Sequence, residues 1–285
     1  MALPSLALEN IRTNKMTTKK IAFIGGGNMS SCIYASIIKS EDAKNITVSG
    51  PHLEKLEKFK AEGSVITTDN IEAAKNADII FLGVKPQILT SVLEQLATIK
   101  DELQNKLFVS MAAGFKLSSI SSKIGTNRII RIMPNTPCKI GLGTIAVAYD
   151  TAVSDDDKAT VKQYLSNMGQ CIEGDENNLN VIGAVCGCGP AFVYRFMESL
   201  VAEAVRHGIK ADDARKMVEQ TVLGSASMVI QNQDATIASL REAVTSKGGT
   251  TFAGLCKMTE GNFEKIMENT INASLDRTYE FESMF

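Results

Sequence analysis

Short apolar runs alternate with longer amphipathic stretches in the first part of the chain. The runs fall at Lys20–Gly25, Ile46–Ser49, Val65–Thr67, Asp78–Val84 and Lys106–Ser110. Short apolar segments bounded by turn residues predict buried strands. Between them, Asn28–Ser40 places Met29, Ile33, Ile37 and Ile38 close to helical spacing, and Leu53–Ala61, Asn70–Asn76 and Gln87–Ile99 also predict helices. Strands alternating with helices predict a parallel sheet covered on both faces. Two more strands are expected at Arg128–Met133 and Gly143–Tyr149. Ser154 is expected to cap a helix running to about Asn167, with Asp155, Asp156 and Asp157 in its first turn, where the helix dipole favours negative charge. Gln170–Glu173 predicts a last strand.

After the polar stretch Gly174–Asn178 the pattern turns helical. Phe192, Val193, Phe196, Met197, Leu200, Val201, Ala204 and Val205 form a broad apolar stripe. Further helices are expected at Ala211–Ile230, Ile237–Val244, Thr251–Thr259 and Phe263–Tyr279. These stripes carry more apolar surface than one small helical layer can bury against itself, which predicts a subunit interface. The expected division is a flexible extension at 1–18, an α/β unit at 19–175 and an all-helical unit at 176–285.

The turn after the first strand narrows the α/β unit. Gly25-Gly26-Gly27-Asn28-Met29-Ser30 lies between a strand and a helix. Gly25 permits the tight turn, Gly27 leaves room for a pyrophosphate at the backbone, and the following helix N-terminus offers unpaired N–H groups. The unit is therefore expected to be a Rossmann-type doubly wound sheet that binds a dinucleotide. At the end of the second strand, Val48-Ser49-Gly50-Pro51-His52 lacks the acidic residue that bonds the ribose of NAD. Ser49 can donate to a phosphate. For His52, a phosphate contact and a solvated loop position both stay open. NADPH is favoured over NADH.

Composition excludes other classes. The chain has 285 residues, 44% hydrophobic and 22% charged, with a net charge of −2. That balance gives no basic footprint for nucleic acid. Six cysteines at 32, 138, 171, 186, 188 and 256, with His52 and His207 far apart, form no zinc-ligand spacing, so no metal site is expected. No uninterrupted apolar run reaches the ~20 residues of a membrane span. The start holds Pro4 in a short apolar part with no basic region before it, unlike a signal peptide. A cytoplasmic protein is expected.

Four further segments carry a resemblance. They are Phe81-Leu82-Gly83-Val84-Lys85-Pro86, Met133-Pro134-Asn135-Thr136-Pro137, Gly187-Cys188-Gly189-Pro190-Ala191-Phe192 and Thr245-Ser246-Lys247-Gly248-Gly249-Thr250-Thr251. In this order and spacing, from about Lys19 to the C-terminus, the chain resembles pyrroline-5-carboxylate reductases. The resemblance implies an oxidoreductase that transfers hydride from NAD(P)H to the C=N bond of 1-pyrroline-5-carboxylate, giving L-proline in the last step of proline biosynthesis. It implies that Gly25, Gly27, Asn28 and Met29 hold the pyrophosphate and that Asn70 contacts the adenosine side. Val84, Lys85 and Pro86 would line the nicotinamide ribose beside Ala112, Ala113 and Gly114. Asn135 and Thr136 would form part of the wall near the nicotinamide. It further implies a helical unit that binds substrate and forms a homodimer, with higher homo-oligomers such as a decamer.

In the Gly-Gly-Thr-Thr segment, the N–H groups of Gly248, Gly249 and Thr250 suit a carboxylate without a charged side chain. Val244, Ser246, Gly248, Gly249, Thr250 and Thr251 are the expected substrate residues, and Thr251 is the expected catalytic one, its hydroxyl at the ring nitrogen. A simple Gly/Thr helix cap is the alternative that the residues alone leave open. Lys85 by itself equally fits a surface lysine after a strand. The family usually has proline where this chain has Lys247, and serines at Cys186 and Cys188. Two other readings remain: a related imine or hydroxyacid reductase of the same two-part plan, and a non-catalytic NADP-binding regulator.

Overall fold

A computed structural model describes residues 19–284. The extension expected at 1–18 lies outside the described residues. The strands are β1 Ile21–Ile24, β2 Ile46–Ser49, β3 Val65–Thr67, β4 Ile79–Leu82, β5 Leu107–Ser110, β6 Ile129–Pro134, β7 Gly143–Tyr149 and β8 Gly169–Glu173. They form one sheet in the order β3-β2-β1-β4-β5-β6-β7-β8. The α/β unit also holds helices α1 Asn28–Ile37, α2 Glu57–Ala61, α3 Asn70–Lys75, α4 Pro86–Ala97, α5 Lys100–Leu103, α6 Leu117–Ile124 and α7 Asp155–Leu165.

Both faces of the sheet are covered, which is why β1, β4 and β5 read as continuous apolar runs rather than alternating ones. Successive side chains point to opposite faces. Ile21, Phe23, Val48 and Phe81 pack on one side with Ile33 and Tyr34 of α1, Phe59 of α2 and Tyr164 of α7. Ala22, Ile24, Ile80 and Phe108 pack on the other with Leu89 and Leu93 of α4 and Ile120 of α6. Phe23 stacks on Phe81 with ring centroids 4.7 Å apart.

The expectation of a parallel sheet needs one correction. β7 runs antiparallel to β6, with Ile130 opposite Tyr149 and Pro134 opposite Ile145. Only residues 135–142 lie between these strands, and a parallel return needs a crossover of a dozen or more residues. β8 then pairs parallel to β7 after the α7 crossover. The helix expected at Leu53–Ala61 opens as a 3-10 turn at Leu53–Lys55 and becomes α-helical only from Glu57.

The remaining helices are α8 Glu176–Ile182, α9 Gly189–Arg206, α10 Ala211–Gln231, α11 Ile237–Ala243, α12 Thr250–Glu260 and α13 Phe263–Met284. A π-helical turn at Gly183–Gly187 joins α8 to α9. By length and composition the stretch Glu176–Arg206 is apolar enough to cross a membrane, at a mean hydropathy of 1.3. Among the described residues α9, α11, α12 and α13 hold no buried side chain. Phe196, Leu223, Ile230, Phe252 and Ile266 are large apolar groups left exposed by the single chain.

Candidate active site

The winding of the sheet reverses at β1, which is paired to β2 on one side and β4 on the other. In an open α/β sheet, ligands bind in the crevice beyond the strand ends at such a switch point. The glycines there are forced by backbone contacts. Gly25 has φ +100°, and a Cβ on it would lie 2.8 Å from the carbonyl carbon of Gly83 and from the nitrogen of Val84. Its N–H donates to the Ser49 carbonyl at 2.9 Å, and the Gly83 N–H donates to the Ile24 carbonyl at 2.8 Å. Gly27 differs. Among the described residues nothing lies closer than 3.8 Å to a Cβ placed there, so its side is open.

Gly27 is also the N-cap of α1, and among the described residues no side chain caps that helix. Its first N–H groups are thus available to an anion. Ser30 takes the third small position of the loop for a packing reason. It is buried, and a Cβ on Gly83 would meet its Oγ at 2.1 Å.

The other strand ends bring the expected cofactor residues to this same edge. Val84 and Pro86 are half-buried after β4, where Pro86 starts α4 and Lys85 is its exposed N-cap. Ala112, Ala113 and Gly114 follow β5; a Cβ on Gly114 (φ +78°) would lie 2.9 Å from Cβ of Phe281, so α13 rests against that loop. Asn135, after β6, is nearly buried. Its Oδ1 accepts from the Thr144 N–H and its Nδ2 donates to the Cys186 carbonyl, both at 3.0 Å. It ties the loop after β6 to the π-helical turn rather than presenting a free amide. A groove of about 430 Å³ runs from Asn28 and Ser31 to Cys138, Lys139 and Ile140. Burial pushes the Cys138 thiol up to about 11, so it stays protonated and unreactive.

Three expected adenosine-side contacts are engaged within the protein. Ser49 is fully buried, and its hydroxyl donates to Asn70 Oδ1 at 2.7 Å. Its single proton is thereby engaged within the protein. Asn70 in turn donates from Nδ2 to Gln95 Oε1 at 3.0 Å. His52 Nδ1 lies 3.4 Å from Glu54 Oε1, a carboxylate that would oppose a phosphate.

The Gly-Gly-Thr-Thr segment links α11 to α12. Val244 and Ser246 are exposed, as are Gly248 and the Thr250–Thr251 pair. Gly248 adopts φ +72°. The Gly249 N–H donates to the Ser246 carbonyl at 2.9 Å, so it is not free for a carboxylate as the sequence suggested. Gly249 is the N-cap of α12 and among the described residues no side chain caps it, which leaves the first N–H groups of the helix, at Thr250 and Thr251, available. Among the described residues no hydrogen bond joins this segment to the crevice residues.

Sequence reasoning missed the connection between the two halves. Arg131 of β6 is fully buried, and its Nη1 lies 3.0 Å from Glu176 Oε1 and 3.8 Å from Glu282 Oε1. Asn180 Nδ2 donates to Glu282 Oε1 at 2.9 Å. The Leu117 N–H donates to Glu176 Oε1 at 2.6 Å. One guanidinium thus fixes α8 and the end of α13 against the sheet, beside the loop that holds Gly114.

Comparison with known proteins decides the family. The model described as "Pyrroline-5-carboxylate reductase dimerisation" matches residues 176–281. One described as "NADP oxidoreductase coenzyme F420-dependent" matches residues 20–114. A pyrroline-5-carboxylate reductase of Vibrio alginolyticus is 37% identical over 95% of this chain and 100% of its own length. The chain belongs to the pyrroline-5-carboxylate reductase family. Solved members of that family have the same fold. The Coxiella burnetii reductase superposes with a TM-score of 0.85 at 33% identity, covering 93% of this chain and 99% of its own. The Plasmodium falciparum pyrroline carboxylate reductase, solved with NADP bound, gives 0.82 at 30% identity, covering 93% and 98%. In this pyrroline-5-carboxylate reductase fold the sheet carries the dinucleotide-type crevice and the helical half carries the Gly-Gly-Thr-Thr segment.

Proposed function

We propose that this chain reduces 1-pyrroline-5-carboxylate to L-proline with a hydride from NADPH and a proton from solvent, as the last step of proline biosynthesis. The observation that carries this reading is the pairing, in one family member, of an uncapped α1 behind an open Gly27 with an uncapped α12 behind Gly249. The first suits a pyrophosphate and the second a small carboxylate. Gly25, Gly27, Asn28, Met29, Val84, Lys85, Pro86, Ala112, Ala113 and Gly114 would hold the dinucleotide, which supplies the hydride when bound. Asn135 orders the wall beside it. The amides of Thr250 and Thr251 grip the substrate carboxylate, with Val244, Ser246, Gly248 and Gly249 shaping the bend. The Thr251 hydroxyl donates to the ring nitrogen. Threonine is a weak acid, so its contribution is orientation and a hydrogen bond that strengthens as the nitrogen gains electron density.

Thr251→Ala is expected to lower kcat by roughly ten- to a thousandfold, with Thr251→Ser retaining most of the rate. The measurement is NADPH and NADH oxidation in the presence of pyrroline-5-carboxylate. An alanine variant as fast as the parent removes Thr251 from the reaction. A parent protein inert on this imine but active on another imine or a hydroxyacid replaces the substrate assignment. Nucleotide binding with no turnover on any of these substrates would favour a regulator.

The helical unit from 176 onward is proposed as a homodimerisation and substrate unit, assembling further toward forms such as a decamer. Support comes from the exposed apolar faces of α9 to α13 and from the family description of residues 176–281. This account also explains the apolar stretch Glu176–Arg206 without a membrane. Phe196→Glu is expected to shift the sedimenting species toward monomer, since burying a charge without a partner costs several kcal/mol. A parent that sediments as a monomer with full activity rules out the need for an interface. Six free cysteines fit a reducing compartment, in line with a cytoplasmic site of action.

A further inference from the structure

Helix α2 is pressed onto the glycine loop. Leu56 and Phe59 are buried against Gly26, where a Cβ would come within 2.4 Å of Leu56 Cδ2 and 2.9 Å of Phe59 Cε2. This contact sets Lys58, which lies between them in sequence, at the rim of the loop. Its ammonium donates to Ser31 Oγ at 2.7 Å and lies 4.9 Å from the centre of the Phe59 ring. Ser31 Oγ donates its own proton to the Gly27 carbonyl at 2.8 Å, so it can only accept from the lysine.

An ammonium has three protons to give. Among the described residues no carboxylate pairs with Lys58, whereas Lys60 has Glu57, Lys75 has Glu102 and Lys162 has Glu173. A cation without a counter-charge thus stands one turn into the helix whose N-terminus faces the crevice. Meanwhile Ser49 is committed to Asn70 and His52 sits beside Glu54.

We propose that Lys58 is a phosphate contact of the bound dinucleotide, the charge-assisted partner that Ser49 and His52 do not provide. This rests on reading the glycine loop as a dinucleotide site. The phosphate is either the ribose 2′-phosphate or the pyrophosphate, and the two nucleotides separate them.

The test is direct binding of NADPH and of NADH, followed by nucleotide fluorescence, to the parent, Lys58→Met, Lys58→Arg and Lys60→Met. Lys58→Met is expected to weaken NADPH binding by roughly ten- to a hundredfold, the usual scale of a charge-assisted hydrogen bond. Lys58→Arg should restore most of that loss, and Lys60→Met should bind like the parent. A loss confined to NADPH assigns the 2′-phosphate; an equal loss for NADH assigns the pyrophosphate. Lys58→Met binding both nucleotides as the parent does overturns the proposal, and so does a parent that binds neither. Binding is read without substrate, so a failure of the reductase assignment would leave this result standing.

Discussion

Gly25→Ala is expected to destroy nucleotide binding and to destabilise the fold, whereas Gly27→Ala is expected to lose binding alone. The difference follows from what each new methyl meets. At Gly25 it would drive into the backbone of Gly83 and Val84 at 2.8 Å, and alanine would also have to adopt φ +100°. Strain of that kind costs about 1–3 kcal/mol, and forced overpacking adds about 1–3 kcal/mol. The two strands that flank the crevice would have to separate, moving β1 and β4 apart where the cofactor sits. At Gly27 the methyl enters open space, with the Gly83 carbonyl 3.8 Å away. The free protein should accept it, and only a pyrophosphate approaching the backbone should be hindered. Thermal melts with and without NADPH distinguish the cases. Gly25→Ala should lower the melting temperature of the free protein; Gly27→Ala should leave it in place while reducing the stabilisation by nucleotide. Equal melting behaviour of the two variants would contradict the geometry.

Arg131→Met should cost about 3–5 kcal/mol, the usual penalty for leaving a buried charge without its partner. Glu282 is 8% exposed at its side chain and would retain Lys116 at 3.7 Å and Asn180 as its neighbours, with the guanidinium gone. For a chain of this size the loss corresponds to a fall in melting temperature of roughly 5–8 °C. Adding Glu282→Gln should recover part of the loss, because a neutral amide at the same place no longer needs a cation. Nη2 and Nε of Arg131 have no partner among the described residues, so this buried arginine is itself an expensive arrangement. A single variant within 1 kcal/mol of the parent would mean that the contact contributes little. A double variant no better than the single one would mean that Glu282 is not what the arginine compensates.

Much of the α/β unit was legible because its physics is local. β1, β4 and β5 are buried on both faces and therefore wrote themselves as unbroken apolar runs. Gly25 had to be glycine for a backbone reason that the motif already encodes. α6 has a weak sequence signature because Leu117, Ile120 and Ile124 are separated by serines and Lys123, which hide a helix whose buried face is narrow. The direction of β7 has no signature in alternation; only the shortness of the loop from 135 to 142 sets it. The hidden parts of the site are those made by distant partners. Ser49 looked like a free hydroxyl until Asn70 came to meet it, and Arg131 looked like a strand residue until Glu176 and Glu282 closed on it. Lys58 carried no motif at all; it matters because Leu56 and Phe59 are packed on Gly26. The two helix N-termini, at Asn28 and Thr250, were visible as glycine bends, but the engagement of the Gly249 amide by Ser246 was not.

The chain leaves the sheet near Glu176 and comes back to the same arginine at Glu282. An excursion fastened at both ends to one point behaves as a cassette hung from β6, and its closure carries little dependence on how long it is. Helices between those two acids could therefore be exchanged with those of a relative, or lengthened at their connections, without rerouting the sheet. What such a graft must keep is the clasp itself.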